Sequence, residues 1–347
     1  MILKPGAAAF LLAATTATAA LALDTADPHL EKGDFFMSRM KLDPAIEEFR
    51  EASRLEPDNA KAHQRLGAAL AAKDDYETAI MEEKTAARLD PKYFLPHVIL
   101  GQIYANQSKP EEALAEFKQA TTLKPTSFKA HIDLGMTATS LGHLDEAIAA
   151  FKKAAEIDQK DPVPYINVGV CYQQKGMMKE AIEAEQKAIQ LNDRVPQSYI
   201  NLGNMQADAG DLDPAIENLR KALKLVPNHP NAHSGLGWAL FKRGDLKEAI
   251  AEQRKAIKIY PQFAPAHRRL ATALAKSGDP AAAQASYQEA LKLAPQDLTS
   301  RVEYADFLAS RGKTAEAATQ YKEALKANPQ LKPALDGLAK LTKAKTQ

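Results

Sequence analysis

Six of the eight histidines have the spacing in this sequence that most suggests chemistry. They recur at 34-residue intervals in two runs: His29, His63, His97 and His131, then His233 and His267. A histidine ladder invites a zinc site, but zinc needs ligand nitrogens about 2 Å away, whereas neighbouring helices of a repeat array lie roughly 8–10 Å apart. Ligands from successive repeats cannot converge, so we predict structural histidines and no metal site.

Other reactive residues give no catalytic pattern. The carboxylate pairs fall in predicted second helices, where solvated faces are their usual place: Glu47 and Glu48, Glu82 and Glu83, Glu111 and Glu112. Cys171 is the only cysteine, cannot pair within the chain, and is expected to be a small buried apolar residue. Glycine-rich phosphate loops, nucleophile elbows and zinc-protease motifs do not occur. We therefore predict no enzyme and no cofactor.

A 34-residue repeat explains the histidine interval. Nine ungapped repeats run over 26–331, with starts at Ala26, Ala60, Phe94, Phe128, Pro162, Pro196, Pro230, Ala264 and Leu298. Position 20 is alanine in all nine, as is position 27, and position 8 is always glycine or alanine. Position 24 is aromatic in five: Phe49, Phe117, Phe151, Tyr287 and Tyr321. Small residues let two helices approach closely, and large apolar ones fill the flanking gaps.

Turn residues divide each repeat into two helices. Glycine near the middle of six repeats can end a helix in the left-handed conformation: Gly142, Gly176, Gly210, Gly244, Gly278 and Gly312. Proline closes seven of the second helices: Pro57, Pro91, Pro125, Pro227, Pro261, Pro295 and Pro329.

This pattern resembles the tetratricopeptide repeat family, which has small residues at positions 8, 20 and 27 and proline near the end. The resemblance implies an all-α fold, a right-handed α-solenoid of nine antiparallel helix pairs. We expect 332–347 to form a C-terminal capping helix that solvates the last pair. The family's members are partner-binding scaffolds, so the resemblance is specific for fold and weakly specific for function.

The first residues predict export. Lys4 precedes an apolar stretch, and Ala20-Leu21-Ala22 offers a small-x-small cleavage site. We interpret 1–22 as a signal peptide and 23–25 as a short mature segment, with a periplasmic or secreted location and no stable membrane span after cleavage.

Charge is unevenly distributed along the chain. From Leu23 to Asp161 there are 25 acidic and 18 basic residues, and from Pro162 onward 19 acidic and 26 basic. The near-neutral total gives no general attraction to nucleic acid, which we exclude as a partner.

The resemblance also implies which positions line the concave groove. In the middle repeats these positions are largely apolar, which favours a hydrophobic groove for a protein or peptide segment. The alternative is that position 5 packs between adjacent first helices. The predicted groove residues of these repeats are Leu95, Val98, Gln102, Ile132, Met136, Val163, Ile166, Asn167, Val170, Ile200, Asn201 and Asn204; the asparagines and Gln102 could bond a partner's main chain.

Repeats seven and eight have a different groove chemistry. A lone tryptophan among cations favours binding of an acidic or carboxylate-bearing segment, and the alternative is a solvated basic face. The predicted residues of this basic site are Trp238, Lys242, Arg268, Thr272 and Lys276.

Three functions remain open at this point. The first is a non-enzymatic scaffold that assists the assembly of extracytoplasmic complexes. The second is a self-assembling structural protein of the envelope, whose oppositely charged ends stack. The third, an enzyme or small-ligand carrier, is least favoured.

Overall fold

A computed structural model describes residues 25–345 of the chain. The regular structure in that range is entirely α-helical, with nine consecutive helix pairs followed by one last helix. This confirms the predicted all-α fold of nine pairs and a final helix. The predicted signal peptide at 1–22 lies outside the described residues.

The described helices divide into two compact units, one ending at Gln159 and the other beginning at Lys160. The described helices of the first unit are α1 (Ala26–Met37), α2 (Leu42–Leu55), α3 (Ala60–Ala72), α4 (Tyr76–Leu89), α5 (Phe94–Asn106), α6 (Pro110–Leu123), α7 (Phe128–Ser140) and α8 (Leu144–Ile157). Those of the second unit are α9 (Val163–Gln174), α10 (Met178–Leu191), α11 (Pro196–Ala209), α12 (Leu212–Leu225), α13 (Pro230–Arg243), α14 (Leu246–Ile259), α15 (Ala264–Ser277), α16 (Pro280–Leu293), α17 (Leu298–Ser310), α18 (Thr314–Ala327) and α19 (Lys332–Lys345). Within each unit, every second helix packs on the first helix of its own pair, and each one except α8, the last helix of the first unit, also packs on the helix that follows it.

The two helices of a pair meet where glycine faces a large side chain. A Cβ added to Gly101 would lie 2.6 Å from a ring carbon of Phe117, and one added to Gly135 would lie 2.6 Å from Phe151. The alanines at positions 20 and 27 are completely buried in all nine pairs. The pattern of small and large residues read from the sequence is therefore the packing seam of each pair.

The turn between the two helices of a pair has a left-handed residue at position 15. The six glycines predicted there have φ between 74° and 105°. In the first three pairs the same conformation is adopted by residues with a Cβ, namely Met40 at 55°, Asp74 at 65° and Ser108 at 58°. The turn geometry is thus kept without glycine, at a conformational cost.

The last helix, α19, covers the apolar side of the ninth pair. Ala334 is completely buried, and Leu338 and Leu341 pack against the same cluster. Gly337 lies under the ring of Tyr321, where a Cβ would approach within 2.3 Å. Leu335 of the same helix is 43% exposed.

Candidate protein-interaction surfaces

Four of the histidines at position 4 join the two helices of their pair, and two of these four also contact the preceding loop. The Nδ1 atom of His97 donates to the Glu116 carboxylate at 2.7 Å, from the first helix of the pair to the second. His29, His63 and His233 make the same contact, with Glu48, Glu82 and Glu252, at 2.6–2.7 Å. In His63 and His233 the other ring nitrogen lies 2.9 Å from the carbonyl oxygen of the proline before the helix. These histidines bridge helices and a loop.

The ninth pair keeps this contact between its two helices and the preceding loop, although the histidine is replaced. In the ninth pair Arg301 replaces histidine and donates to Gln320 at 3.0 Å and to the Pro295 carbonyl at 2.8 Å. Within the described residues, no group of three or more histidine, cysteine, aspartate or glutamate side chains could hold a metal ion. Hydrogen bonding accounts for the ladder, and Cys171 is buried in the core as expected.

Two glutamates, Glu83 and Glu185, occupy position 24 in the core, where six other pairs have aromatic or leucine side chains and the seventh has Gln253. Glu83 is completely buried, and neither carboxylate oxygen has a hydrogen-bond partner. The expectation that Glu83 lies on a solvated face is wrong, because position 24 packs against the glycine at position 8: Gly67 faces Glu83 as Gly101 faces Phe117. The repeat register contained this signal.

Burial shifts the acidity of both glutamates in the same direction. Burial, helped by the charge of Glu82, raises the pKa of Glu83 to about 10. Burial also raises the pKa of Glu185 to about 7, with Asn201 and Ser198 opposing the rise. Asn201 Nδ2 donates to the Glu185 carboxylate at 2.7 Å. Glu83 lacks such a donor, so it is neutral at pH 7.

In the first unit, the predicted groove residues differ in their accessibility. Met136 on α7 is 56% exposed, while Leu95 and Ile132 are half-buried. Val98 is buried against Ala120, Ala130 and Phe94, so its assignment to an open groove is wrong. Gln102 is half-buried, and its amide donates to Asp133 at 3.0 Å.

In the second unit, Val163 is 41% exposed, and Ile166 and Val170 are half-buried. Ile200 is 1% exposed and packs with Tyr199 in the core, so its assignment to an open groove is also wrong. At Val98 and Ile200, position 5 is core because its side chain points between neighbouring helices.

The asparagines predicted to bind a partner's main chain are largely used within the fold. Asn167 donates to the Val163 carbonyl at 2.9 Å, and Asn201 donates to Glu185. The Asn204 Oδ1 atom is buried and lies where a Cβ on Gly235 would approach within 2.4 Å. Asn204 is therefore held against the helix backbone of the next pair.

The predicted basic site contains its own carboxylates. Lys242 donates to the Ala207 carbonyl at 2.9 Å and lies 3.4 Å from Asp208. Trp238 stacks on Phe241 at 5.2 Å between centroids, and its indole N–H donates to Asp208 at 3.4 Å.

Glu303 has the equivalent role in the next pair. Arg268 donates to one Glu303 oxygen at 2.5 Å, and the Thr272 hydroxyl contacts the other at 3.2 Å. The Lys276 ammonium lies 5.0 Å from the centroid of Phe241. Most of the hydrogen-bond donors that were predicted to bind an acidic ligand therefore already have partners within the second unit.

Each described helix is too short or too polar to traverse a bilayer.

Several solved structures have a similar fold. A tetratricopeptide repeat protein from Parabacteroides merdae matches 72% of this chain and 98% of its own, with a TM-score of 0.63 and 17% identity. A chain of the APC/C hetero-tetramer Cut9-Hcn1 matches 81% of this chain with a TM-score of 0.58 and 21% identity. The matched region is 55% of that second chain, so this protein spans about half its length. No curated protein matches the sequence.

Family models cover most of the chain. The model of a tetratricopeptide domain described as "Cilia and flagella-associated protein 70 C-terminal domain" matches residues 12–267. The model described as "Tetratricopeptide repeat" matches residues 268–332. Together with the nine seams of small residues and the paired helices, these matches identify the family. The chain belongs to the tetratricopeptide repeat family.

Proposed function

We propose that the protein is a non-enzymatic scaffold that binds a segment of a partner protein on its first helices. The observation that carries the proposal is the accessibility of apolar side chains on the first helices of the first unit, where Met136 is 56% exposed and Leu95 and Ile132 are half-buried. Exposed apolar residues of this size on a repeat surface favour a protein partner. The family supports the same class of function, and a relative of the same fold was solved in the Cut9-Hcn1 assembly.

Serine substitutions in the first unit test this proposal. Ile132 and Met136 lie one helical turn apart on α7, and replacing both with serine removes apolar contact area without touching the glycine seam. We expect capture of the partner from an envelope extract to be lost while helical circular dichroism is unchanged. The matched control is Met81→Ser, which changes an equally exposed methionine, 58% accessible, on a second helix. Capture that survives the double substitution, or that Met81→Ser also removes, would overturn the proposal.

We further propose that the protein works outside the cytoplasm, on the basis of the predicted signal at 1–22. The sequence motif Ala20-Leu21-Ala22 supports cleavage before Leu23. N-terminal mass spectrometry of the chain from a bacterial periplasmic fraction should give a mature terminus near Leu23. Retention of residue 1 together with a cytoplasmic location would contradict export.

A further inference from the structure

Four large apolar residues are exposed at the ends of two neighbouring second helices. Leu225 is the last residue of α12, and Ile259 is the last residue of α14; Val226 and Tyr260 follow them. Their side chains are 36–48% exposed. They belong to adjacent repeats and to the same compact unit.

The apolar character of Val226 and Tyr260 does not follow from the repeat itself. Val226 and Tyr260 occupy position 31, which is polar in the five preceding repeats: Glu56, Asp90, Lys124, Asp158 and Asn192. Exposed hydrophobic side chains favour binding when they form a contiguous patch. The repeat architecture therefore tolerates a polar residue here, and the two apolar residues need a local reason.

An open cavity of about 590 Å³ connects the two helix ends. Pro227 and Asn228 from the loop after α12 form one side, and Lys255, Lys258 and Ile259 of α14 form the other. His233 of α13 also lines the cavity. An extended segment could lie in such a cavity with its apolar side chains against the helix ends.

Two cations, Lys255 and Lys258, line this cavity. Lys224 lies outside it, in the last turn of α12 beside Leu225, and neither Lys224 nor Lys258 has an ion pair among the described contacts. Lys255 pairs with Glu252 at 2.7 Å, but that carboxylate is shared with His233 at 2.6 Å. The local charge around the cavity is therefore positive.

We propose that this edge surface, formed by Leu225, Val226, Pro227, Ile259, Tyr260, Lys224 and Lys258, binds an acidic segment of a partner protein. Carboxylates of the segment pair with the two lysines, while its aliphatic or aromatic residues cover the helix ends. Charge complementarity selects the acidic class, and the apolar cavity selects a segment that also contains hydrophobic residues. This site is separate from the surface on the first helices and does not depend on the proposed function.

A synthetic peptide tests the surface directly. The probe is a fluorescein-labelled peptide in which glutamate alternates with leucine and phenylalanine. One control peptide has glutamine in place of glutamate, and the other has serine in place of leucine and phenylalanine. Fluorescence anisotropy with the full chain should show binding of the first peptide, weakened at least about tenfold in either control peptide. Binding should also weaken between about 50 and about 500 mM salt.

Two pairs of substitutions locate the binding. Val226→Ser with Tyr260→Ser should weaken the probe at least about tenfold. Lys224→Gln with Lys258→Gln should weaken it severalfold and flatten the salt dependence. The second pair changes exposed charges only, so it remains informative if the first pair disturbs folding. Lys292→Gln is the matched control, because Lys292 occupies the same repeat position and pairs with Glu289 at 3.3 Å; it should leave binding unchanged.

Other occupants give different outcomes. Sedimentation with phosphatidylglycerol vesicles tests an anionic lipid surface, and sedimentation velocity tests a second copy. The proposal is overturned if the peptide does not bind, if both variant pairs bind it as wild type does, or if the variants abolish only vesicle binding or only dimerisation. The Ile132→Ser, Met136→Ser variant should still bind the probe, which separates this test from that of the first-helix surface.

Discussion

Replacing Glu83 with glutamine should stabilise the second helix pair, and the gain should grow as pH rises. Glu83 is completely buried without a hydrogen-bond partner, and burial raises its pKa to about 10 from an ordinary value of 4.5. The folded protein therefore retains a proton that the unfolded chain releases. Stability from this group is fully present below about pH 4.5 and is lost progressively as pH rises toward 10.

The size of the effect follows from these two pKa values. Between pH 5 and pH 7 the unfolded carboxyl ionises while the folded one does not, which costs about 2.5 kcal/mol by linkage. Glutamine cannot ionise, so Glu83→Gln removes this cost. An unpaired buried amide has its own penalty, but that penalty is the same at both pH values. The ratio of the wild-type opening equilibrium constant to that of the variant should therefore increase roughly 80-fold from pH 5 to pH 7.

Hydrogen exchange measures this local quantity. Peptides that cover α3, α4 and α5 report the opening that exposes Glu83. Protection of the variant is compared with protection of wild type at the same pH, so the intrinsic pH dependence of exchange cancels. Glu77→Gln is the control, since Glu77 is exposed on the same helix, and it should leave protection nearly unchanged.

A second comparison separates the two buried glutamates. Glu185, with a pKa raised to about 7, destabilises the second unit over the interval from about pH 4.5 to pH 7 and adds no further loss above it. Glu83 continues to destabilise the first unit above pH 7. If Glu83→Gln and wild type keep a constant ratio of protection from pH 5 to pH 9, Glu83 is ionised in the folded protein and the reasoning is refuted.

Two further predictions follow from backbone and hydrogen-bond geometry. Met40→Gly should stabilise the chain by about 1 kcal/mol. Met40 has a φ of 55° and is 79% exposed, so glycine removes the left-handed strain with little loss of packing. Urea denaturation of this variant should show a higher midpoint. His97→Ala should cost about 1.5–3 kcal/mol, because it leaves the half-buried Glu116 carboxylate without its 2.7 Å donor; the same assay would show a lower midpoint.

Each of these substitutions has a matched control. Met40→Ala keeps a Cβ in the left-handed conformation and should give no comparable gain; an equal gain would mean that strain is not the cause. His143→Ala removes a histidine that is 53% exposed and should change stability by less than about 0.5 kcal/mol. A loss from His97→Ala no larger than that would rule out the bridge as a stabilising contact.

The repeat register predicted most of the fold because each repeat is a local unit. Glycine at position 8, alanine at positions 20 and 27 and an aromatic at position 24 are adjacent in space through one short hairpin, so their spacing alone predicted the seam. Glu83 occupies the position of Phe117 in this register. Its burial could have been predicted from the alignment of repeats, but residue type alone suggested a solvated face.

Whether a predicted groove residue is accessible depends on contacts between side chains of different repeats. The sequence placed Val98 and Ile132 at the same repeat position, yet one is buried and the other half-buried. Asp208 and Glu303 were absent from the predicted basic site because they come from neighbouring pairs. Asp208 accepts a hydrogen bond from Trp238, and Glu303 accepts one from Arg268. Both contacts join different helix pairs, so they become visible only in the tertiary structure.

The sequence by itself determined the helix pairs, their turns and the small residues between them, since these depend on neighbours within one hairpin. Only the tertiary structure decided which polar groups are already bonded and which apolar groups remain accessible. Accessibility depends on the packing of side chains from successive repeats, and a difference of one rotamer or one neighbouring residue changes it. Side chains with equal spacing in the chain, such as Val98 and Ile132, therefore differ in what they can bind.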